Sequence, residues 1–258
     1  KMKSSTICKD WLNSLPPTQG FLRNEQSAGR EFLLEKGMPS KKDEAWRLSN
    51  FNRLNSFFSL PTTIDNEDIK SQFQSIFPEK DKNRERIIIN SEKSQFSNIN
   101  LPNGIEKLNN KEIEENLGNI VKLTNIKNDV SVYLNQAFSG ELLAFKVKRN
   151  IKQTLEIVIP SIKEKSISTR ILLLVEEGAK LDLLQIFLGN TNSAQNHLIE
   201  IKLESKVDFT HGLISLGEKK ESSSICTVAV DQAEKSQYSL HSILHGWDYA
   251  RFEPRIIQ

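Results

Sequence analysis

The chain has 258 residues, enough for one large domain or two small ones around a sizeable apolar core. Its 35 basic and 33 acidic residues leave a net charge of +2, so the composition predicts no general attraction to nucleic acid or to an acidic membrane. The longest apolar run, ILLLV at 171–175, has the length of a strand and not of a membrane span. The first residues lack the apolar core of a secretory signal, and the two cysteines, Cys8 and Cys226, are too far apart in the chain to suggest a disulfide scaffold. We therefore expect a cytoplasmic protein in a reducing compartment.

The first part of the chain has helical periodicity. STICKDWLNSL and NEQSAGREFLLEKG place apolar residues at helical spacing, and Gly37 stands where a left-handed helix cap is expected. NEDIKSQFQSIF predicts a further short amphipathic helix. RERIIIN interrupts the series as a strand, and KEIEENLGNIV and NDVSVYLNQAFS predict helices again. These patterns define a mainly helical region with a few strands at residues 1–139.

One tryptophan lies inside a run of charges in PSKKDEAWRLSNF, residues 39–51. Ser40 can act as the N-cap of a helix, and Asp43 can complete a capping box three residues later. Trp46 then falls on the next turn and points inward, while Arg47 stays outside or flanks the ring with its stem. The pattern predicts a packing tryptophan that anchors this segment, rather than a tryptophan that stacks on a ligand.

From about residue 140 the pattern changes to short strands separated by polar turns. The strand-like runs are ELLAFKV, TLEIVIP, TRILLLVEE, LDLLQIFLG, HLIEIKLE, VDFTHGLISLG, SSICTVAVD, QYSLHSILHG and ARFEPRIIQ. In HLIEIKLE the apolar and charged residues alternate, which is typical of a strand with one face in a core and one in solvent. No helix-length segment interrupts residues 140–258, so βαβ units are excluded. A sandwich, a barrel or a stacked β-solenoid remain, and no strict repeat motif marks each coil.

Residues that could carry chemistry are few and scattered. The chain has no P-loop motif, and no G-x-G-x-x-G motif follows a predicted strand. His241 and His245 are four residues apart and share one face of a strand or helix. With Cys226 they could form a thiolate–imidazole site for iron or zinc, although structural roles are commoner for such residues. We therefore regard these three residues as weak candidates for metal ligands. We expect no catalytic residue and no enzyme activity.

Two other interpretations of a β-rich chain stay open. A polysaccharide-active enzyme would need paired carboxylates or a calcium–arginine cluster along one groove. The strand carboxylates are dispersed, most have lysine neighbours, and we expect them to face solvent: Glu156, Asp182, Glu200, Glu204, Asp208 and Asp231. The other interpretation is a protein-interaction scaffold without cluster chemistry.

The segment GMPSKKDEAWRLSNFNRL resembles the signature P-x-[RK]-K-[DE]-E-x-W-R-[YF]-[ST]-[DN]-L near the start of SufD proteins and their SufB-like paralogues. IIINSEKSQFSNINLPNGIEKL, VYLNQAFSGELLAFKV and HGWDYARFEPRIIQ resemble three further regions of that family, so the matches span nearly the whole chain. Leu48 replaces the usual aromatic residue and Phe51 the usual leucine, and both keep an apolar side chain. The motif positions that carry the resemblance are Pro39, Glu44, Trp46 and Arg47.

The resemblance implies a mainly β chain, in which a helical N-terminal region precedes a right-handed parallel β-helix at residues 140–258. It implies a scaffold subunit of the SUF machinery for iron–sulfur cluster assembly, acting with a SufB-like partner and a SufC-like ABC ATPase. The cluster would belong to the complex, in the cytoplasm or in the plastid stroma of a eukaryote.

The same family normally continues into more β-helix and a helical C-terminal domain, and its late histidine lies there. We therefore expect a chain cut before its natural end, and we carry over no catalytic or cluster residue. A solenoid cut within a strand-like run would leave an exposed last coil, so we also expect this chain alone to form a homodimer or a higher assembly through its β-rich end.

Overall fold

The computed structural model describes residues 2–62, 79, 82–89, 100–124, 129–140, 142–218 and 220–258. The helix predicted at NEDIKSQFQSIF lies outside the described residues. The helices that the structure describes are α1 (Met2–Ser14), α2 (Arg23–Lys36), α3 (Phe51–Leu54), α4 (Ser56–Ser59), α5 (Asn110–Asn116), α6 (Asn119–Leu123) and α7 (Val130–Phe138), with 3₁₀ turns at Gly20–Leu22 and Glu44–Trp46. The strands are β1 (Glu85–Ile88), β2 (Ile105–Lys107), β3 (Leu142–Val147), β4 (Lys152–Pro160), β5 (Ser166–Val175), β6 (Lys180–Leu188), β7 (Ala194–Leu203), β8 (Asp208–Leu216), β9 (Ser223–Gln232), β10 (Gln237–His245) and β11 (Tyr249–Ile257).

The strands form a parallel β-solenoid of about four turns, built from two sheets. The first sheet has the strand order β1-β4-β6-β8-β10, and the second has the order β11-β9-β7-β5-β3-β2. From β3 onward, successive strands alternate between the two sheets. β2 pairs with β3 in the antiparallel sense, whereas the other pairs are parallel. The prediction of a mainly β chain with a helical N-terminal region and a parallel β-helix is confirmed.

The coils repeat regularly although the sequence shows no repeat motif. Stacked positions in the first sheet, at residues 152, 180, 208 and 237, are 28, 28 and 29 residues apart. The corners between strands from β3 to β11 use the left-handed backbone region at Asn150, Glu164, Gly178, Asn192, Lys206, Glu221, Lys235 and Gly246. Because only two of these eight residues are glycines, the coils repeat in backbone conformation but share no single residue type at the corners.

The interior of the solenoid is apolar, as the alternation of its strands predicts. The inward residues of β7, namely Ile199, Ile201 and Leu203, belong to one buried cluster with their counterparts from the other strands. The opposite face of β7 is also covered, because Leu198 packs in a second cluster with Ile120 and Val121 of α6. The sequence predicted solvent on this face, and the helical region occupies that place instead.

The N-terminal region contributes two strands to the sheets of the solenoid, in addition to packing helices against it. β1 pairs with β4 and β2 pairs with β3, so residues before 140 contribute to both sheets. The segment predicted as one helix at KEIEENLGNIV is two helices, because Gly118 takes a left-handed conformation with a φ of 76° between them. Among the described helices, none has the length and apolar character that crossing a bilayer requires.

Candidate functional site

A cleft of about 650 Å³ lies where the helical region meets the last strand of the second sheet. Its walls come from the end of α2, the segment at residues 37–46, the start of α7 and β11. The predicted motif residues Pro39, Glu44 and Trp46 line it, and Arg47 is exposed beside it. The segment with the sequence resemblance therefore forms one wall of this cleft.

The start of that segment is a hydrogen-bonded turn and not the predicted capped α-helix. The Ser40 backbone N–H donates to the Asp43 carboxylate over 2.6 Å, and the Ser40 hydroxyl lies 3.1 Å from the same oxygen. The regular structure that follows is a single 3₁₀ turn at Glu44–Trp46, to which Asp43 makes no side-chain cap bond. The charges predicted to belong to a helix start thus belong to a turn that is too short to have a useful dipole.

Trp46 points inward, as the sequence predicts, and is 5% exposed. It belongs to the buried cluster that joins α1, α3 and α4 to Ile225 and Tyr249 of the second sheet. Arg251 of β11, and not the neighbouring Arg47, covers the ring, with the guanidinium carbon 4.1 Å from the ring centre. Arg251 also donates to the backbone carbonyl of Ala45 over 2.8 Å. These contacts attach the motif to the solenoid.

The charged groups on the other wall of the cleft are paired with one another. Arg255 is hydrogen-bonded to Asp129 and to Glu253, and Glu253 is also paired with Arg251. Burial alone would lower the pKa of Arg255, but the hydrogen bonds and charges of Asp129 and Glu253 outweigh it and raise that pKa above its ordinary value. The ion pairs therefore lock β11 to the start of α7.

The structure does not bring the three metal candidates together. Cys226 is 3% exposed and lies on the inward face of β9, whereas His241 and His245 are exposed on the outward face of β10. Residues of β10 with even numbers, such as Tyr238, face inward, so His241 and His245 do share a face, but it is the wrong one for Cys226. Burial also raises the pKa of the Cys226 thiol well above its ordinary value, which disfavours a thiolate ligand. Among the described residues, no group of three His, Cys, Asp or Glu side chains could hold a metal ion.

The two other histidines, His197 and His211, which are not among the metal candidates, lie inside the solenoid and make local hydrogen bonds. His197 Nδ1 is 2.7 Å from the Thr169 hydroxyl and its Nε2 is 2.6 Å from Gln195 Oε1. His211 Nδ1 is 2.8 Å from the Tyr238 hydroxyl and its Nε2 is 2.7 Å from an oxygen of a second glutamine, at position 185. A signal was available, because each histidine has the same strand parity as its inward apolar neighbours.

Burial decides the protonation of both histidines. Desolvation lowers the pKa of His197 and of His211 to about 3, so both rings are neutral near pH 7. Their aromatic neighbours are consistent with an apolar setting, since Phe187 stacks on His197 at 4.1 Å and Phe209 on His211 at 5.4 Å between ring centres. The interior is therefore polar at these positions but carries no charge.

A buried ionic network joins the helical region to the outer face of the second sheet. Arg170 Nη2 lies 2.7 Å from the Glu200 carboxylate and 3.1 Å from that of Glu25 in α2. Glu200 also accepts the backbone N–H groups of Gly118 and Val121, over 2.9 and 3.0 Å. Arg170 and Glu200 are fully buried. The Glu200 carboxylate thus accepts hydrogen bonds from backbone N–H groups at the start of α6.

Two of the predicted strand carboxylates, Glu156 and Asp182, are each paired with an arginine side chain. Glu156 lies 2.5 Å from Arg86 Nε, and Asp182 lies 3.1 Å from Arg84 Nη2. Glu156 and Glu200 are 2% and 0% exposed, so the prediction that they face solvent is wrong. Glu156 is paired with Arg86 of the neighbouring strand β1, and Glu200 lies beneath the start of α6.

No protein-family model matches the sequence, and a search of the curated proteins finds no similar entry.

Proposed function

We propose that this chain is a scaffold subunit of SUF-type iron–sulfur cluster assembly, acting with a SufB-like partner and a SufC-like ATPase. The observation that carries the proposal is the way the resembling segment is used. Trp46 is buried against the solenoid and Arg251 of β11 covers its ring. The two segments that resemble the family from opposite ends of the chain thus meet in one contact, on the fold that the resemblance implies.

The chemistry of the described residues favours a binding role over a catalytic one. Around the cleft, Asp129, Arg251, Glu253 and Arg255 neutralise one another. Such a set of ion pairs suits a rigid junction, because a catalytic site needs at least one group whose proton or charge is free to react. In this proposal the iron–sulfur cluster is cargo of the assembled complex.

The outermost strands of the solenoid offer the surface for a partner. In the described part of the chain, β10 pairs with β8 alone and β11 with β9 alone, so each has one unpaired edge. Ile256 stacks on the row of Val230 and is 48% exposed. Unpaired strand edges flanked by apolar side chains readily recruit further strands. We place the SufB-like partner, or a second copy of this chain in its absence, on this coil.

The test mixes the purified chain with the SufB-like and SufC-like proteins of the same source and follows complex formation by size-exclusion chromatography. We expect a complex that the Ile256→Lys variant weakens by at least about tenfold, since a buried lysine in the interface costs more than about 1.4 kcal/mol. Ile243→Lys is the matched control, because Ile243 is 61% exposed on the outward face of β10. Failure of the wild-type chain to bind either protein would contradict the proposal.

Anaerobic reconstitution of that complex with iron and sulfide separates the proposed function from its nearest alternative. A thiolate-to-iron absorption band in the complex supports cluster assembly. A stable complex without the band would instead identify a protein-interaction scaffold without cluster chemistry.

A further inference from the structure

The solenoid interior contains polar side chains whose hydrogen-bonding capacity is only half used. They form what we call the polar seam, defined by Gln185, Gln195, His197 and His211 on the inward faces of β6, β7 and β8. All four residues are 0% exposed. The surrounding interior is a cluster of aliphatic and aromatic side chains, and no seam residue itself contacts bulk solvent.

The hydrogen bonds assign a single role to each glutamine carbonyl. A neutral imidazole has one N–H and one acceptor nitrogen. In both histidines Nδ1 lies beside a hydroxyl group, which can donate, and Nε2 lies beside a glutamine oxygen, which can only accept. Nε2 therefore carries the proton in His197 and in His211, and each glutamine accepts through Oε1. The NH₂ groups of Gln185 and Gln195 are left to donate elsewhere.

Those two amide groups have no hydrogen-bond partner in the described part of the chain. Gln185 Nε2 and Gln195 Nε2 are both buried and unpartnered, and so is the hydroxyl of Ser215, an inward residue of β8. Buried donors are nearly always satisfied by protein or by ordered water, so three such groups on inward faces of neighbouring coils indicate ligands of their own.

We propose that the polar seam binds ordered water molecules, which accept hydrogen bonds from the amides of Gln185 and Gln195 inside the solenoid. Because the seam side chains carry no charge, we expect them to bind water and not a small anion. The donors are uncharged, and neither histidine supplies a positive charge near pH 7, whereas a buried anion requires a compensating cation.

The seam reaches the partly exposed side of the solenoid through one residue. His211 is hydrogen-bonded to Tyr238 of β10, and Tyr238 is half-buried. Water exchange between the seam and solvent would pass this hydroxyl. The bound waters should consequently be long-lived but exchangeable.

The test counts long-lived internal waters in solution by oxygen-17 magnetic relaxation dispersion of the whole chain. We expect a dispersion in the wild-type protein and a reduced amplitude in the double variant Gln195→Leu/His197→Phe, which replaces a polar pair by apolar groups of similar size. Gln237→Leu/His241→Phe is the matched control, since it changes the same residue types at exposed positions of β10 and should leave the amplitude unchanged. Circular dichroism verifies that each variant is folded.

A wild-type crystal structure at high resolution provides a readout that needs no variant. Water density within hydrogen-bonding distance of Gln185 Nε2 and Gln195 Nε2 supports the proposal. Direct protein acceptors at both nitrogens would overturn it. Equal dispersion amplitudes in the wild type and in a folded seam variant would also overturn it. Soaking in bromide separates the two possible acceptors, because an anomalous peak at the amides would show a halide and refute the assignment to water.

Discussion

Replacing Arg170 by methionine tests whether the buried ionic network holds the helical region on the solenoid. Arg170→Met keeps most of the side-chain volume but removes the cation that lies 2.7 Å from Glu200 and 3.1 Å from Glu25. Two carboxylates would then be buried near each other without their shared partner. Removing one partner of a buried ion pair typically lowers the free energy of unfolding by about 3–5 kcal/mol. We expect a loss in that range, because Arg170 and Glu200 are fully buried.

The matched control is Arg149→Met, which breaks the pair of Arg149 and Glu177. The Arg149 side chain is 62% exposed, and its carboxylate partner lies 2.7 Å away at a solenoid corner. Exposed pairs contribute about 0–1 kcal/mol, so the control should change the free energy of unfolding by no more than that. Both variants therefore remove one arginine charge and differ chiefly in burial.

The assay is urea unfolding at pH 7, followed by circular dichroism and extrapolated to water. Hydrogen exchange localises the effect, since Gly118 and Val121 donate their N–H groups to the Glu200 carboxylate and should exchange faster in Arg170→Met if Glu200 shifts. The double variant Arg170→Met/Glu200→Gln should lose less free energy of unfolding than the sum of the losses of the two single variants. The reason is that it also removes one of the two carboxylate charges that Arg170→Met leaves without a partner. An Arg170→Met protein within about 1 kcal/mol of the wild type would refute the reasoning, because such a loss is ordinary for any substitution.

Three further predictions follow from individual contacts. Trp46→Ala should lower the free energy of unfolding by about 3–5 kcal/mol in the same assay, whereas Leu48→Ala, at a position 93% exposed, should change it by about 0.5 kcal/mol or less. Gly217→Ala should lower the melting temperature, because the new Cβ would lie 2.6 Å from the Gly246 carbonyl oxygen. Stability should fall as pH drops from 6.5 toward 3, by up to about 1.4 kcal/mol per pH unit for each buried histidine, because the unfolded chain binds protons that the folded pKa of about 3 excludes. Urea titrations at pH 7.5 and 5.5 measure this, and a seam variant lacking His197 should show a smaller slope than the wild type.

Local sequence features were enough to predict the type of most elements. The period of two in the late strands and the helical spacing before residue 140 both reflect how side chains must alternate about a strand or a helix. The runs quoted as strands match β3 to β11, and the two early helical runs match α1 and α2. Trp46 could be placed inward for a related reason, since a large apolar ring within a charged segment is usually buried.

The sequence could not show what lies opposite each strand face. Alternation in β7 marks one face as apolar and the other as charged, but it cannot distinguish a charged face in solvent from one whose charges are paired under a helix. Glu200 is buried because Arg170 and the start of α6 meet its carboxylate, and these groups come from positions 30 and about 80 residues away in the chain. Pairing over such separations is a property of the tertiary fold alone.

By itself, then, the sequence determined which segments are strands, which are helices and which side chains share a strand face, because these depend on local backbone geometry. Only the tertiary structure decided how those faces are used. It stacked the strands into a solenoid through left-handed corners at residues of different types, such as Asn150, Lys206 and Glu221, which carry no common sequence signal. It also placed Cys226 on the inward face of the second sheet and His241 and His245 on the outward face of the first. His197 and His211 lie inside the solenoid, because the direction of a strand face is set by the sheet it joins and not by the residues it contains.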